Sequence, residues 1–314
     1  MIKVLFIAGT GRSGTTILSN ILGQVPGSFA GGEIRYAWQR GFVEDHRCGC
    51  GRPFSECPVW TAVVADAFGD RPGLNPGGVA DRIDRRLRIR RIPPMLVRLL
   101  RRRPIVPPHS DDHDVLELYR ALSRRPGVDV IVDSSKLPLY GMMLSALPGL
   151  EMSVVHVVRD PRATAFSWRR QKPTRDRDDE TTMPQLELWR SAVLWVLWNR
   201  LTAAWLSRST MRSVVVHYED LVAEPEKTVN RITALLGHEL PGNVIHGHTA
   251  TLAATHSVAG NPSRHEAGKV ELYLDTEWRQ MMPAHQRVLV TILTLPGLRR
   301  FGYAVRSGTG TAER

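Results

Sequence analysis

The sequence lacks two features that would assign it to a class of protein directly, namely a membrane-spanning apolar run and a disulfide framework. It has no apolar run near the roughly 18–20 residues that a membrane-spanning helix requires, which excludes an integral helical membrane protein. Its only three cysteines, Cys48, Cys50 and Cys57, lie within ten residues of one another. Such a group is no disulfide framework and fits a reducing compartment. Because an apolar run is already under way at Leu5, we expect no signal peptide and a cytoplasmic location.

Acidic residues are fewer than basic ones, with 31 Asp and Glu against 42 Lys and Arg and a net charge of +11. Most of the excess is local, since residues 82–103 contain ten arginines and one aspartate. Three interpretations of this segment stay open: a solvated helix face, a surface for an anionic membrane or acidic acceptor, and a nucleic-acid patch. We expect no nucleic acid as partner, and the second interpretation implies peripheral contact with the inner face of a membrane.

Apolar residues make up 42% of the chain, enough for a core. Short apolar runs predict buried strands at 2–8, 28–30, 129–133, 152–158 and 213–217, and helical patterns follow at 15–25, 114–125, 137–146, 162–169, 186–206 and 225–236. This alternation predicts an α/β fold of the P-loop-like, three-layer type, with a central parallel sheet flanked by helices. We expect one domain over residues 1–314, with a cap or insertion at 45–113.

Residues 9–16, Gly-Thr-Gly-Arg-Ser-Gly-Thr-Thr, join the first strand to the first helix. Gly9 and Gly14 have the spacing of a phosphate loop, in which backbone N–H groups and a helix N-terminus hold an anion. The usual lysine is missing, because Thr15 stands in its place and the cation is Arg12. That lysine contacts the β- and γ-phosphates of ATP, so its absence disfavours an ATPase or kinase. The hydroxyl of Thr16 could bind Mg²⁺, and Asp133 is the one acidic residue that the sequence suggests as a second ligand.

Several segments resemble those of the sulfotransferases that use PAPS (3′-phosphoadenosine-5′-phosphosulfate). The loop at 9–16 is similar to their 5′-phosphosulfate loop, in the bacterial and tyrosylprotein-type form that has Arg in the usual Lys place. Residues 154–167 resemble their 3′-phosphate site, where a strand ends in Arg (here Arg159) and a Ser follows eight residues on (Ser167). The segments HYEDL at 217–221 and GNPSR at 260–264 resemble a stretch after a late strand and a loop that closes over the nucleotide.

This resemblance implies transfer of a sulfuryl group from PAPS to a hydroxyl, with no metal required. A 3′-phosphate needs a guanidinium and hydroxyl donors, and α/β folds place ligands where the strands end. Structural alternatives are an Arg159–Asp160 pair, an ordinary helix serine at 167, a core Tyr218 and a solvated Arg264. The implied nucleotide-binding residues are Arg12, Ser13, Gly14, Thr15, Thr16, Arg159, Ser167, Tyr218 and Arg264.

Sulfuryl transfer needs a base for the acceptor proton and cations for the developing charge. We favour Glu33 as the base, because tyrosylprotein-type sulfotransferases have a similar Gly-Glu segment whose Glu is the base; Arg35 would orient it or hold the donor. In the segment 132–138, Lys136 stands where cytosolic family members have their His base, and a charged lysine stabilises the leaving oxygen. The predicted catalytic residues are therefore Glu33, Lys136 and Arg12. The alternatives are a Glu33–Arg35 pair and a Lys136–Asp133 salt bridge.

Two further groups of residues have structural interpretations that we favour. His46, Cys48, Cys50 and Cys57 could form a zinc knot, but their spacing is irregular and CGCGRPFSECPVW resembles a loop of related bacterial sulfotransferases. We therefore expect a structural or substrate-side loop and no metal. The tryptophans of residues 189–205 recur at helical spacing, which is more typical of a core than of a ligand site.

The acceptor is the least determined part of the prediction. A small-molecule, sugar or lipid-linked hydroxyl would fit, in a pocket shaped by the cap at 45–113 and the charged loop at 171–183. An ATP-dependent P-loop small-molecule kinase and a basic non-enzymatic membrane or nucleic-acid adaptor, built on 82–103, are the alternatives. An oligomer is compatible with all three.

Overall fold

A central five-stranded sheet organises the computed structural model, which describes residues 1–69, 73–88, 98, 106, 109, 112–176 and 182–305. Its strands lie in the order β2-β3-β1-β4-β5, and every neighbouring pair is parallel. The predicted parallel α/β sheet is therefore confirmed. The strands are β1 (Ile2–Gly9), β2 (Ser28–Gly32), β3 (Val130–Lys136), β4 (Leu150–Val158) and β5 (Ser213–His217).

Helices cover both faces of this sheet. Successive side chains of a strand point to opposite faces, so Val4 and Phe6 of β1 enter one core cluster while Leu5 and Ile7 enter another. Burial on both sides explains why these strands are continuous apolar runs without polar alternation.

The six helices that the sequence pattern predicts are present, with bounds shifted by at most three residues, whereas five further α-helices among the described residues were not predicted. Of these eleven helices, five have proline in the first turn, where its missing N–H costs no hydrogen bond. The helices are α1 (Thr15–Leu22), α2 (Pro58–Phe68), α3 (Pro76–Arg86), α4 (Asp112–Ser123), α5 (Pro138–Leu144), α6 (Pro161–Arg169), α7 (Leu188–Leu206), α8 (Tyr218–Ala223), α9 (Pro225–Thr233), α10 (Trp278–Met281) and α11 (Ala284–Arg300).

A second, antiparallel sheet was not anticipated. It consists of β6 (Ile245–His246), β7 (Thr249–Leu252) and β8 (Gly268–Glu271). Ala250 and Leu252 join the same core cluster as Leu18 of α1. The connection between β7 and β8 consequently lies against α1, where Asn261 N–H donates to Thr16 Oγ1 over 3.2 Å.

The described part of the predicted cap packs onto the main core. Trp38, Phe42, Phe54, Trp60 and Phe68 form an aromatic group with ring centroids 5.1–6.1 Å apart. Phe54, Trp60 and Phe68 of the cap belong with Trp38 to the core cluster on one face of the sheet, and Phe42 packs against that cluster.

The Arg-rich segment 82–103 lies largely outside the described residues, which include only 82–88 and 98. The predictions of a solvated face or a membrane surface fall on that segment and stay predictions. No described helix is long and apolar enough to cross a membrane.

Candidate active site

A cavity of about 790 Å³ opens where the strands of the parallel sheet end. Its lining includes Gly9 at the end of β1, Glu33 after β2, Lys136 at the end of β3, Arg159 after β4 and Tyr218 after β5. Five strand ends therefore converge on one space, at the edge where α/β folds bind their ligands.

The loop at 9–16 forms one wall of this cavity. Gly14 has φ of 79° and precedes α1 without a side-chain cap, so the first-turn N–H groups have no side-chain acceptor from that residue. A Cβ at Gly14 would lie 2.3 Å from the Tyr218 ring, so no larger residue fits. Ser13 is buried and hydrogen bonds to Thr10 over 2.8 Å, away from the lining, whereas Thr15 and Thr16 face the cavity.

Arg12 is a buried cation without a hydrogen-bonding partner for its side chain. Its Nε and both Nη atoms have none among the described residues, and the guanidinium lies 5.0 Å from the Trp168 ring. Burial, reinforced by Arg170, lowers the pKa of Arg12, while Glu33 opposes the shift. Because a buried guanidinium without partners is costly, this arrangement suits a site for an anion.

Arg159 and Ser167 line the same cavity. Arg159 Nη1 donates to the Arg12 carbonyl over 2.9 Å, and its guanidinium lies 4.4 Å from the Tyr218 ring. The alternative pairing with Asp160 is wrong, because Asp160 accepts from Arg162 and caps α6. Arg159 instead lies beside the loop at 9–16, with Tyr218 packed against both.

Glu33 and Lys136 form an ion pair at the cavity wall, in which Lys136 Nζ donates to Glu33 Oε1. Lys136 has φ of 63°, a left-handed backbone conformation that is uncommon for a residue with a side chain. The two alternatives, a Glu33–Arg35 pair and a Lys136–Asp133 salt bridge, are both wrong. Arg35 pairs with Asp84 of α3 over 2.5 Å, and Asp133 has other partners.

Asp133 is fully buried beneath the cavity. Its carboxylate accepts from the Ser135 hydroxyl and from Tyr119, each over 2.5 Å. Burial raises its pKa to about 6, and hydrogen bonds from Ser135 and Tyr119 oppose the shift. Asp133 does not line the cavity, so the weak suggestion of a magnesium ligand is wrong.

Arg264 occupies a different place from the one expected. Its side chain is wholly buried, pairs with Asp176 over 2.8 Å and donates to the carbonyls of Ser257 and Arg47. The expectations that Arg264 holds the nucleotide or is a solvated loop charge are both corrected. The cavity instead meets the preceding residues 260–263 of that loop.

Sequence reasoning missed a group of basic and aromatic residues on and after α6. Trp168, Arg170 and Lys172 line the cavity. Burial, followed by repulsion from Arg12 and Arg170, lowers the pKa of Lys172. The visible signal is the basic run directly after Ser167, of which only Lys172 lies in the loop 171–183 that the sequence analysis places at the acceptor pocket.

The tryptophans of α7 follow the core prediction only in part. Trp195 and Trp205 are buried, whereas Trp189 is exposed and Trp198 reaches the cavity wall. The helix that carries them therefore contributes both to the core and to the lining.

The three cysteines lie together, but without His46. His46 Nε2 lies 2.9 Å from Glu44, while His256 approaches the cysteine sulfurs. The histidine beside the cysteines is therefore His256, and not the His46 that the sequence suggested for a zinc knot.

Fold and site together define an α/β protein with a candidate anion-binding loop and a candidate general base. Residues 114–242 match the model of a family described as "Sulfotransferase family", and no curated protein sequence matches the chain significantly. The matched segment contains the stretches at 154–167 and 217–221 that resemble sulfotransferases, but not the loops at 9–16 and 260–264, and it supports sulfotransferase activity.

Two solved structures share the fold over nearly the whole chain. The sulfotransferase domain from the Synechococcus PCC 7002 olefin synthase aligns with a TM-score of 0.56 at 17% identity, covering 96% of this chain and 95% of that one. The sulfotransferase domain from the curacin biosynthetic pathway aligns with a TM-score of 0.54 at 12% identity, covering 98% and 99%. At these identities the likeness establishes the fold.

Proposed function

We propose that this protein transfers the sulfuryl group of PAPS to a hydroxyl of a small-molecule, carbohydrate or glycolipid acceptor. The observation that carries the proposal is the buried guanidinium of Arg12, which lacks a hydrogen-bonding side-chain partner and lines one cavity with Arg159 and Ser167. A ligand with two separate anionic ends would satisfy both positions.

The loop at 9–16 would hold the 5′-phosphosulfate end of the donor. Backbone N–H groups at the start of α1 and the hydroxyls of Thr15 and Thr16 are suited to its oxygens, and Arg12 can bind two of them at once. Ser13 would contribute its backbone only, because its hydroxyl bonds to Thr10.

The opposite end of the donor would lie at Arg159 and Ser167. A guanidinium and a hydroxyl suit a 3′-phosphate, which ATP does not have. The Tyr218 ring, held between Gly14 and Arg159, offers an apolar surface between the two anion positions. This pair of positions favours PAPS over ATP.

The reaction would proceed by in-line displacement at sulfur. The acceptor oxygen forms a bond to sulfur while the bond from sulfur to the 5′-phosphate oxygen breaks, and Glu33 takes the acceptor proton. Lys136, which pairs with Glu33 before ligands bind, would move to the leaving oxygen as charge develops there, beside Arg12. The products are the sulfated acceptor and 3′-phosphoadenosine 5′-phosphate (PAP).

Apolar side chains at the cavity wall support an acceptor with a hydrophobic portion. Leu137 follows Lys136 directly, and Met183 and Trp198 also line the cavity. A lipid-linked acceptor would agree with peripheral membrane contact through 82–103, which stays part of this proposal.

No observation favours the two alternatives. A kinase would use a loop lysine that contacts the β- and γ-phosphates of ATP, and Thr15 stands in its place. An adaptor would have no use for Arg159 and Ser167 in one cavity with Arg12.

The test is incubation of the protein with ³⁵S-labelled PAPS and an extract of its source organism, followed by identification of the labelled product. We expect a labelled sulfate ester that forms equally in EDTA. Transfer of a labelled phosphoryl group from ATP, abolished by EDTA, would overturn the proposal in favour of a kinase.

A further inference from the structure

We propose that Cys48, Cys50, Cys57 and His256 bind one structural Zn²⁺ ion. The four residues lie outside the lining of the active-site cavity. The proposal is therefore independent of sulfuryl transfer, and either could fail without the other.

The spacing of the four ligand atoms fits one tetrahedral ion. They all lie within 4.8 Å of one another, with Cys50 Sγ 3.8 Å from Cys57 Sγ and His256 Nδ1 at 3.3 Å from Cys57 Sγ and 3.9 Å from Cys48 Sγ. Zinc bonds of about 2.3 Å to sulfur and about 2.0–2.1 Å to nitrogen give tetrahedral edges of roughly 3.8 Å and 3.5 Å. A disulfide would require sulfurs about 2.05 Å apart, and all three cysteines are free.

Two of the sulfurs come from one tight turn. Gly51 has φ of 88° and its N–H donates to the Cys48 carbonyl over 2.8 Å, while Cys48 N–H donates to the Arg52 carbonyl over 2.7 Å. Cys48 and Cys50 are thereby presented on the same side of a closed loop. Gly51 can adopt this left-handed conformation at no steric cost.

The third sulfur stands at the start of α2. Cys57 directly precedes Pro58, and its carbonyl accepts from the N–H and hydroxyl of Thr61 over 2.9 and 3.0 Å. Zinc binds cysteine in its thiolate form. Cys48 and Cys57 are both buried.

His256 is fixed by contacts with the same loop. Trp60 Nε1 donates to the His256 carbonyl over 2.8 Å, and Gly49 N–H donates to the Ser257 carbonyl over 2.8 Å. A Cβ at Gly49 would lie 2.5 Å from Ser257 Oγ, so only glycine allows this approach. The imidazole Nδ1 consequently faces the sulfurs.

The donor set and its closure point to zinc in a structural role. Three thiolates and one imidazole form a common structural zinc set, and four protein ligands leave no open position for substrate. Ligand atoms this close surround a single ion, whereas an iron–sulfur cluster would spread them over several metal atoms.

An ion here would tie the cap to the backbone behind the candidate base. The chain that follows His256 hydrogen bonds to β2 and its end, with Val258 N–H donating to Gly31 and Glu33 N–H donating to the Ala259 carbonyl over 2.9 and 3.0 Å. The site would thus join residues 48–57 to the segment that supports Glu33.

The experiment is metal analysis of full-length protein purified under reducing conditions from zinc-supplemented cells. We expect about one zinc per chain by mass spectrometry and thiols that react with a disulfide reagent only after chelation. Replacing the zinc by Co²⁺ should give thiolate-to-cobalt charge-transfer absorption. These three readouts use the wild-type protein, so they do not depend on any variant folding.

Variants identify the ligands. His256→Ala should lower zinc content at least about tenfold, whereas His46→Ala, at the histidine of the original sequence quartet, and His246→Ala, at an exposed histidine, should retain it. Wild-type protein that holds neither zinc nor Co²⁺ overturns the proposal, as do iron in place of zinc, a Cys50–Cys57 disulfide without metal, or full zinc retention in His256→Ala.

Discussion

Individual side chains in this site derive their roles from neighbours that are distant in sequence. Lys136 faces Glu33 because β2 and β3 are adjacent, not because of any local motif. The sequence suggested both residues as catalytic, and the structural alternatives paired Lys136 with Asp133 and Glu33 with Arg35. Short-range charge pairing was the wrong guide, because Arg35 pairs with Asp84 of α3 and Asp133 hydrogen bonds to Ser135 and Tyr119.

Glu33→Gln tests the base directly. A glutamine keeps the size and polarity of the side chain but cannot take the acceptor proton, so we expect kcat to fall about 10²–10⁴-fold while PAP binding is retained. Glu266→Gln, at an exposed carboxylate that also lines the cavity, is the matched control and should retain kcat. Unchanged kcat in Glu33→Gln would show that another residue is the base.

The raised pKa of Asp133 makes the stability of the protein depend on pH. Its folded pKa of about 6 is raised above the unfolded value of 3.8, so its favourable contribution is complete below 3.8 and is lost as pH rises through about 6. Asp133→Asn lacks this loss. The free energy of unfolding of Asp133→Asn, relative to wild type, should therefore increase from about pH 4 to pH 7, by at most about 3 kcal/mol.

Urea unfolding across this pH range measures the effect. Asp129→Asn, at an exposed residue before β3, is the matched control. A relative stability of Asp133→Asn that does not change with pH would contradict the assignment of Asp133 as a buried, titrating carboxyl.

Arg264→Met distinguishes a structural arginine from a nucleotide ligand. Removing the guanidinium leaves Asp176 largely buried without its main partner, so we expect a destabilisation of about 3–5 kcal/mol with PAP affinity retained by the folded protein. Adding Asp176→Leu should recover part of the lost stability, and Arg299→Met is the exposed control. Loss of PAP affinity at unchanged stability would restore the nucleotide-binding assignment.

At the scale of elements, prediction succeeded where local pattern determines structure. The strands and the loops after them follow from apolar runs and glycines, which is why residues 9–16, Glu33, Lys136 and Arg159 were found to lie at one sheet edge. The short strands of the second sheet have too few residues to show a period, so β6, β7 and β8 were missed. Contacts such as those of His256 with the cysteines join residues about 200 positions apart and have no local signal.

In the segment after α6, we expect Lys172 to take up a proton when PAP binds. Burial and the charges of Arg12 and Arg170 lower the pKa of Lys172, and an anion in the cavity would favour its charged form. PAP affinity should therefore decrease as pH rises through this lowered pKa, below the usual lysine value of about 10.4. Calorimetry in buffers of different ionisation enthalpy should show protons taken up over this range.

Lys172→Met should remove this uptake, and Lys269→Met, at an exposed lysine of β8, should retain it. Proton uptake that persists unchanged in Lys172→Met would assign it to another group.

At the scale of the whole molecule, the account rests on one cavity with two anion positions. The strand order brings the loop after β1 beside the end of β4, so Arg12 and Arg159 become neighbours although 147 residues separate them. The sequence predicted both positions through a family resemblance, and the fold explains why they line one cavity. Their joint occupation by a nucleotide with a 3′-phosphate is the central claim.

Thermal unfolding with PAP tests this claim most directly. At about 100 times its dissociation constant, PAP should stabilise the protein by about 2.7 kcal/mol, a shift of several degrees in Tm that EDTA leaves unchanged. Adenosine 5′-phosphate, which lacks the 3′-phosphate, should give a much smaller shift, and Arg159→Ala should abolish the difference between the two nucleotides. No shift with saturating PAP, or an equal shift with both nucleotides in the wild-type protein, would contradict the account.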